Sequence, residues 1–372
     1  MIAPRARAAL LACAAALVAS CASGGGGGAS SSSGPDGGAL PARADAAWPV
    51  NRREGVDAWL HAFAMVSSDT TIVPYFKRGY RDQMVVLKNR GNVMSNLDVN
   101  KDRLLAGLAR NPQLTGAQFL PLYFGTWEQF NAAIDLFLRA DGNPRAAQNE
   151  QDAQVIALFA GAFSTAADRA WLQLFVNGAR DEYTKFYHNY WLQMQRERAP
   201  VLARVDTLWQ KTYFPKLTRY LRNTQFASGT LLVSLPLDGE GRTITGGAQT
   251  NTVAVSFPET ESAAIEAVYV FVHEATAPVI GSAVNDNITP AEQRMGVGER
   301  YQSAAAVQAG AMLIKRVAPE LLAGYAQYYL KSAASSAAVG ADPIEALQRL
   351  FPLPQAIRDA IGRQLDVVLG GI

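Results

Sequence analysis

The sequence predicts a mainly α (α+β) fold, in which a helical body carries a small antiparallel β ribbon ahead of a second set of helices. Three observations predict it. Apolar residues recur at helical spacing over most of 51–225, as in Trp127, Phe130, Ile134, Phe137 and Leu138. Between 230 and 257 the period falls to two, in TLLVSL (Thr230–Leu235) and NTVAVSF (Asn251–Phe257). Thr289-Pro290-Ala291-Glu292 then reads as a helix start, with Thr as the cap, Pro at the first position and Glu292 completing a capping box.

The amino terminus has its own character. Arg5 and Arg7 precede an apolar segment, Ala8 to Ala19, which is too short to span a bilayer. Small residues lead from it to Cys21, the pattern of a secretory signal over residues 1–20. Residues 21–50 hold GGGGG, SSSS and GPDGG and cannot bury enough apolar surface to fold. A Gly/Ser chain of that length has a root-mean-square reach of about 25–30 Å. The two cysteines are Cys13 and Cys21, so the remainder of the chain has neither a disulfide nor a thiolate metal site.

The folded part reads as two domains, 51–227 and 228–372. In the first, Trp59, Leu60, Phe63 and Met65 begin one stripe, and Leu104, Leu105 and Leu108 make another. Asp141-Gly142-Asn143-Pro144 is a break, and Ala166 to Arg198 reads as one long helix. In the second domain the ribbon covers 230–257, with a turn at Asp238-Gly239-Glu240-Gly241. A helix over 259–281 carries His273 and Glu274, and a further helix over 290–316 carries Glu299. Short helices fill the rest. Val268 to Val272 alone would suit a buried strand, but Ser262 to Ala277 is too long for one and starts with Ala-rich helix formers.

Composition narrows the function. The chain has 34 basic and 32 acidic residues. Loss of Arg5 and Arg7 with the signal leaves 32 of each, and no basic run offers itself to phosphates, so no nucleic-acid partner is expected. Among enzyme motifs, G-x-S-x-G, the P-loop and the dinucleotide fingerprint are absent. What remains is His273-Glu274 in an apolar run, in a chain with three histidines. A charge there is costly unless it is partnered or bound to a metal.

Two resemblances follow from these residues. Val18-Ala19-Ser20-Cys21 resembles the lipobox of bacterial lipoproteins, which implies cleavage before Cys21 and lipidation of that cysteine. The implied location is the cell envelope; Ala22, in place of an aspartate that would signal inner-membrane retention, points to the outer membrane, facing the periplasm. The ribbon, the His-Glu helix and the Glu-bearing helix resemble, over roughly 228–316, a gluzincin-type zinc metallopeptidase. That resemblance implies His273 as the first zinc ligand, Glu274 as the general base and Glu299 as the third ligand, with Glu292 explained by capping. It also implies an edge strand, 251–257, that holds a peptide by main-chain hydrogen bonds. The motif departs from the family at Ala277, which occupies the second-ligand slot and cannot bind metal. Zinc is therefore doubtful, and His61 or His188 would have to replace the missing ligand. The leading expectation is a lipid-anchored envelope protein with an inactive metallopeptidase-like domain that binds a peptide or protein partner. The alternatives are an active zinc hydrolase using a non-standard ligand and a non-enzymatic helical scaffold.

Overall fold

The computed structural model describes residues 48–67, 75–245, 251–333 and 342–370. The signal segment, Cys21, the tether up to Ala47 and the Gly246-Gly247 break lie outside the described residues. The architecture is mainly α with one small sheet.

The first helices are α1 (Glu54–Val66), α2 (Tyr80–Arg90), α3 (Asn96–Val99), α4 (Lys101–Arg110), α5 (Trp127–Arg139) and α6 (Glu150–Ala162). A 3-10 stretch, Pro112–Tyr123, separates α4 from α5. The predicted break before α6 is real: Asp141 and Gly142 both take positive φ, at 47° and 70°. The long helix expected over 166–198 consists of α7 (Ala166–Glu182), a π turn at Tyr183–Tyr187 and α8 (His188–Glu197). A second π turn, Trp209–Tyr213, joins α9 (Ala199–Leu208) to α10 (Phe214–Asn223).

Four strands follow a different plan from the predicted ribbon. They are β1 (Val50–Asn51), β2 (Gly229–Ser234), β3 (Arg242–Ile244) and β4 (Asn251–Ser256), in the order β1-β2-β4-β3. β1 and β4 each pair with β2 in parallel, and only β3 with β4 is antiparallel. The sheet is mixed because β1 comes from before α1, and because the chain enters β4 in the same direction as β2. β4 is buried along its whole length, which suits an interior strand with both faces covered.

The last helices are α11 (Glu266–Ala275), α12 (Ala277–Asn285), α13 (Pro290–Arg294), α14 (Val297–Val317), α15 (Leu322–Ser332), α16 (Pro343–Leu350) and α17 (Gln355–Val368). Two of the predicted helices are each broken in two. The His-Glu helix over 259–281 becomes α11 and α12, bent by 43° at Thr276. Pro278 explains the bend, since it has no N–H for the Glu274 carbonyl and its ring crowds that carbonyl. The Glu-bearing helix over 290–316 becomes α13 and α14, split at Gly296, whose φ is +69°.

Two large clusters of buried apolar side chains form the core. One is drawn from α1 to Tyr187. The other gathers Trp48, the α9–α10 region, the sheet and the C-terminal helices. Val201, Leu202, Trp209 and Tyr220, which precede the boundary expected at 227/228, pack with the sheet. Trp48 also leaves the predicted linker of 21–50. It is fully buried, its indole N–H donates to the Phe226 carbonyl at 3.1 Å, and its carbonyl accepts from the Trp209 indole at 2.9 Å. Among the described residues, no single helix is long and apolar enough to cross a membrane.

Candidate functional site

α11 is apolar nearly all round because it is enclosed by β4, α14 and α15. This enclosure overrides the strand preference of its β-branched run. It also buries His273 near the helix end, stacked on Tyr329 of α15 with ring centroids 5.4 Å apart. The Tyr329 hydroxyl donates to the Gly239 carbonyl at 3.1 Å, so His273, α15 and the turn before β3 form one packed unit.

Glu274 turns back onto that unit. One carboxylate oxygen lies 3.2 Å from His273 Nδ1, and the other accepts from the Thr243 hydroxyl on β3 at 3.0 Å. The turn approaches closely: a Cβ on Gly241 would sit 2.4 Å from the Ala254 carbonyl oxygen and 2.9 Å from Glu274 Cγ. This geometry requires glycine there.

The turn also delivers a residue that sequence reading passes over. Glu240 lies between two glycines, where a carboxylate normally points to solvent, yet it is half-buried and within range of the charges of His273 and Glu274. Burial pushes its carboxyl up to about 7; the Glu274 charge adds to the rise, while His273, Arg242 and a 3.2 Å hydrogen bond from the Ser303 hydroxyl oppose it. Ser303 stands one helical turn beyond Glu299 on α14. The signal that could have found Glu240 is a carboxylate locked in a Gly-Glu-Gly turn against a strand.

The predicted ligand set consists of His273 and Glu299 alone, with no direct contact between them among the described residues. Ala277 opens α12 beyond the Thr276 break, so the second-ligand slot lacks a donor and no longer continues the helix of His273. Glu299 lies in the first turn of α14, with its Oε2 buried and unpaired, and no hydrogen bond or ion pair joins it to His273 among the described residues. His273 Nε2 is likewise buried without a partner. Among the described residues, no three His, Cys, Asp or Glu side chains form a metal-holding group. A catalytic zinc takes three protein ligands and a water; the residues named for it supply two, His273 and Glu299.

Neither histidine considered as a replacement reaches the site. His61 is fully buried in another network, with Nε2 3.0 Å from Glu182 and Nδ1 3.1 Å from the Tyr80 hydroxyl. His188 sits 2.7 Å from Glu54 on the other core. The expected peptide-binding edge at 251–257 is also absent. β4 lies between β2, which pairs along Asn251–Ser256, and β3, which pairs with Thr252–Ala254.

Compared with models of protein families, with curated proteins and with solved structures, the chain matches none.

Proposed function

We propose that this chain is a lipid-anchored bacterial envelope protein whose metallopeptidase-like region is a non-catalytic binding body. The observation that carries the reading is Ala277 at the start of α12. It removes the second ligand and, with Pro278, the continuous helix on which a His-Glu-x-x-His pair would face one ion. The general-base position is also committed, because both oxygens of Glu274 are engaged by His273 and Thr243. The anchor rests on the lipobox pattern ending at Cys21. Metal analysis of the purified chain tests the reading: no stoichiometric zinc is expected. Zinc at one ion per chain that disappears in His273→Ala would overturn it.

One observation favours a second reading, a zinc hydrolase with an unusual ligand set. His273 Nε2 and Glu299 Oε2 are both buried and unpaired, and an unpaired buried polar atom is costly unless something engages it. The same metal measurement separates the two readings.

A further inference from the structure

The eight large hydrophobic side chains that stand most exposed among the described residues are unevenly placed. Five of them, Val85, Val86, Met94, Val99 and Leu105, fall within α2, α3, α4 and their connecting turns. Met94 and Val99 are 71% and 68% exposed. Single exposed apolar residues are ordinary on a protein surface, whereas a concentration of them marks an interaction site.

The internal wiring sets which way these side chains face. Met84 and Lys88 of α2, Leu97 of α3, and Leu104 and Leu108 of α4 are the buried positions. Helical spacing then directs Val86 and Val99 away from the core, and Leu105, although one turn from buried Leu108, is 39% exposed. Lys88 bridges α2 to α3 through Asp98 at 2.6 Å, so the outward residues are carried on one braced unit.

Charge distinguishes the surface further. Residues 78–110 contain seven basic and three acidic side chains, although the whole chain is only +2. Lys88 is spent on Asp98 and on the buried Glu182, and Arg81 lies 3.9 Å from Asp82. Arg90, Arg103 and Arg110 are exposed and Lys101 is half-buried in the same segment, against Asp102 and, from α7, Asp181, which pairs with Lys185 at 2.9 Å and accepts from the Asn96 N–H at 2.7 Å.

We propose that the α2–α4 face docks onto the anionic headgroups of a phospholipid bilayer. Apolar side chains enter the headgroup boundary, and the neighbouring cations are attracted to the anionic surface. Such a face binds weakly by itself. A tether raises its effective concentration at the membrane to roughly the millimolar range, where weak docking suffices. That advantage rests on the lipid-anchor reading; the docking chemistry does not.

Methionine oxidation reads the docking directly, because an exposed thioether oxidises faster than a covered one. Met94 reports the face, and Met295, 67% exposed and outside it, is an internal reference. The full chain is oxidised alone, with phosphatidylcholine vesicles, and with phosphatidylglycerol/phosphatidylcholine vesicles. Met94 is expected to slow several-fold on the anionic vesicles only, while Met295 keeps its rate. Val99→Asp with Arg103→Glu is expected to abolish the slowing at an unchanged thermal midpoint, since both positions are exposed. Cys21→Ser is expected to raise the lipid concentration needed without removing the effect. The proposal is overturned if Met94 is unprotected on anionic vesicles, if neutral vesicles protect it equally, or if Cys21→Ser removes protection at every lipid concentration. Protection that grows with protein concentration in the absence of lipid would also overturn it and would identify a self-association surface.

Discussion

Lys88 shows how a buried charge is held in this protein. Its ammonium lies 2.6 Å from both Glu182 and Asp98, and Ser95 and His61 supply further donors to Glu182. Burial alone would raise the Glu182 carboxyl, but the His61 hydrogen bond and the Lys88 charge hold it down at about 2, while burial lowers His61 itself and favours its neutral ring as the donor. Lys88→Met removes the cation paired with the buried Glu182 and is expected to cost about 3–5 kcal/mol in a denaturant titration. His61 belongs to this network, and its ring also stacks on Tyr187. A histidine in an apolar helix is thereby explained without a metal. At the other site, His273 has only one of its nitrogens engaged, which makes it the residue where metal analysis is most informative.

At the level of elements, the Asp238–Gly241 turn decides the candidate site. It brings Glu240 in, accepts the Tyr329 hydroxyl and sets β3 against α11. Gly241→Ala would place a methyl 2.4 Å from the Ala254 carbonyl oxygen. Backbone on β4 cannot swing aside as a side-chain tip can, so the loss is expected at the upper end of about 1–3 kcal/mol, measurable by thermal unfolding. The helix break at Thr276 has the same kind of local cause. Pro278 was visible in the sequence beside the His-Glu pair, and its geometry excludes an uninterrupted helix through Ala277. The π turns at Tyr183–Tyr187 and Trp209–Tyr213 left no such mark, because helical periodicity runs through them with a shift of one residue.

Across the whole molecule, Asp57 links the two cores. It sits on α1 and is completely enclosed. It accepts from the Ser234 hydroxyl at 2.6 Å, the Leu235 N–H at 3.3 Å and the Trp191 indole at 3.0 Å. Burial pushes its carboxyl from 3.8 up to about 7, against those hydrogen bonds and the charge of Lys77. A folded acid that holds its proton more tightly than the unfolded chain adds stability at low pH. That contribution declines as pH rises from the unfolded value near 3.8 to about 7. Asp57→Asn is expected to be less stable throughout by about 1–3 kcal/mol, since its amide would meet the donors from Ser234, Leu235 and Trp191. Its unfolding free energy should also lack the share of the decline that Asp57 causes. Parallel pH–stability curves for the two proteins would show that Asp57 is already ionised in the fold.

The sequence by itself determined the mainly helical class, the breaks at Asp141-Gly142 and the capped start at Thr289, because each depends on neighbours within a few residues. Apolar periodicity likewise marked Trp59, Phe130 and Leu104 as core. Only the tertiary structure decided the strand order, the partial burial of Glu240 and the company that His273 keeps. β1 is separated from β2 by nearly the whole first core, so no local pattern could assign their parallel pairing. The free energy of a buried carboxylate likewise depends on groups brought in from Thr243, Ser303 and Tyr329, which no spacing along the chain predicts. The missing ligand at Ala277 was legible as a single letter. That the helix itself turns away at Thr276 follows from Pro278, a local cause, but what it does to the site depends on where α12 and α14 pack.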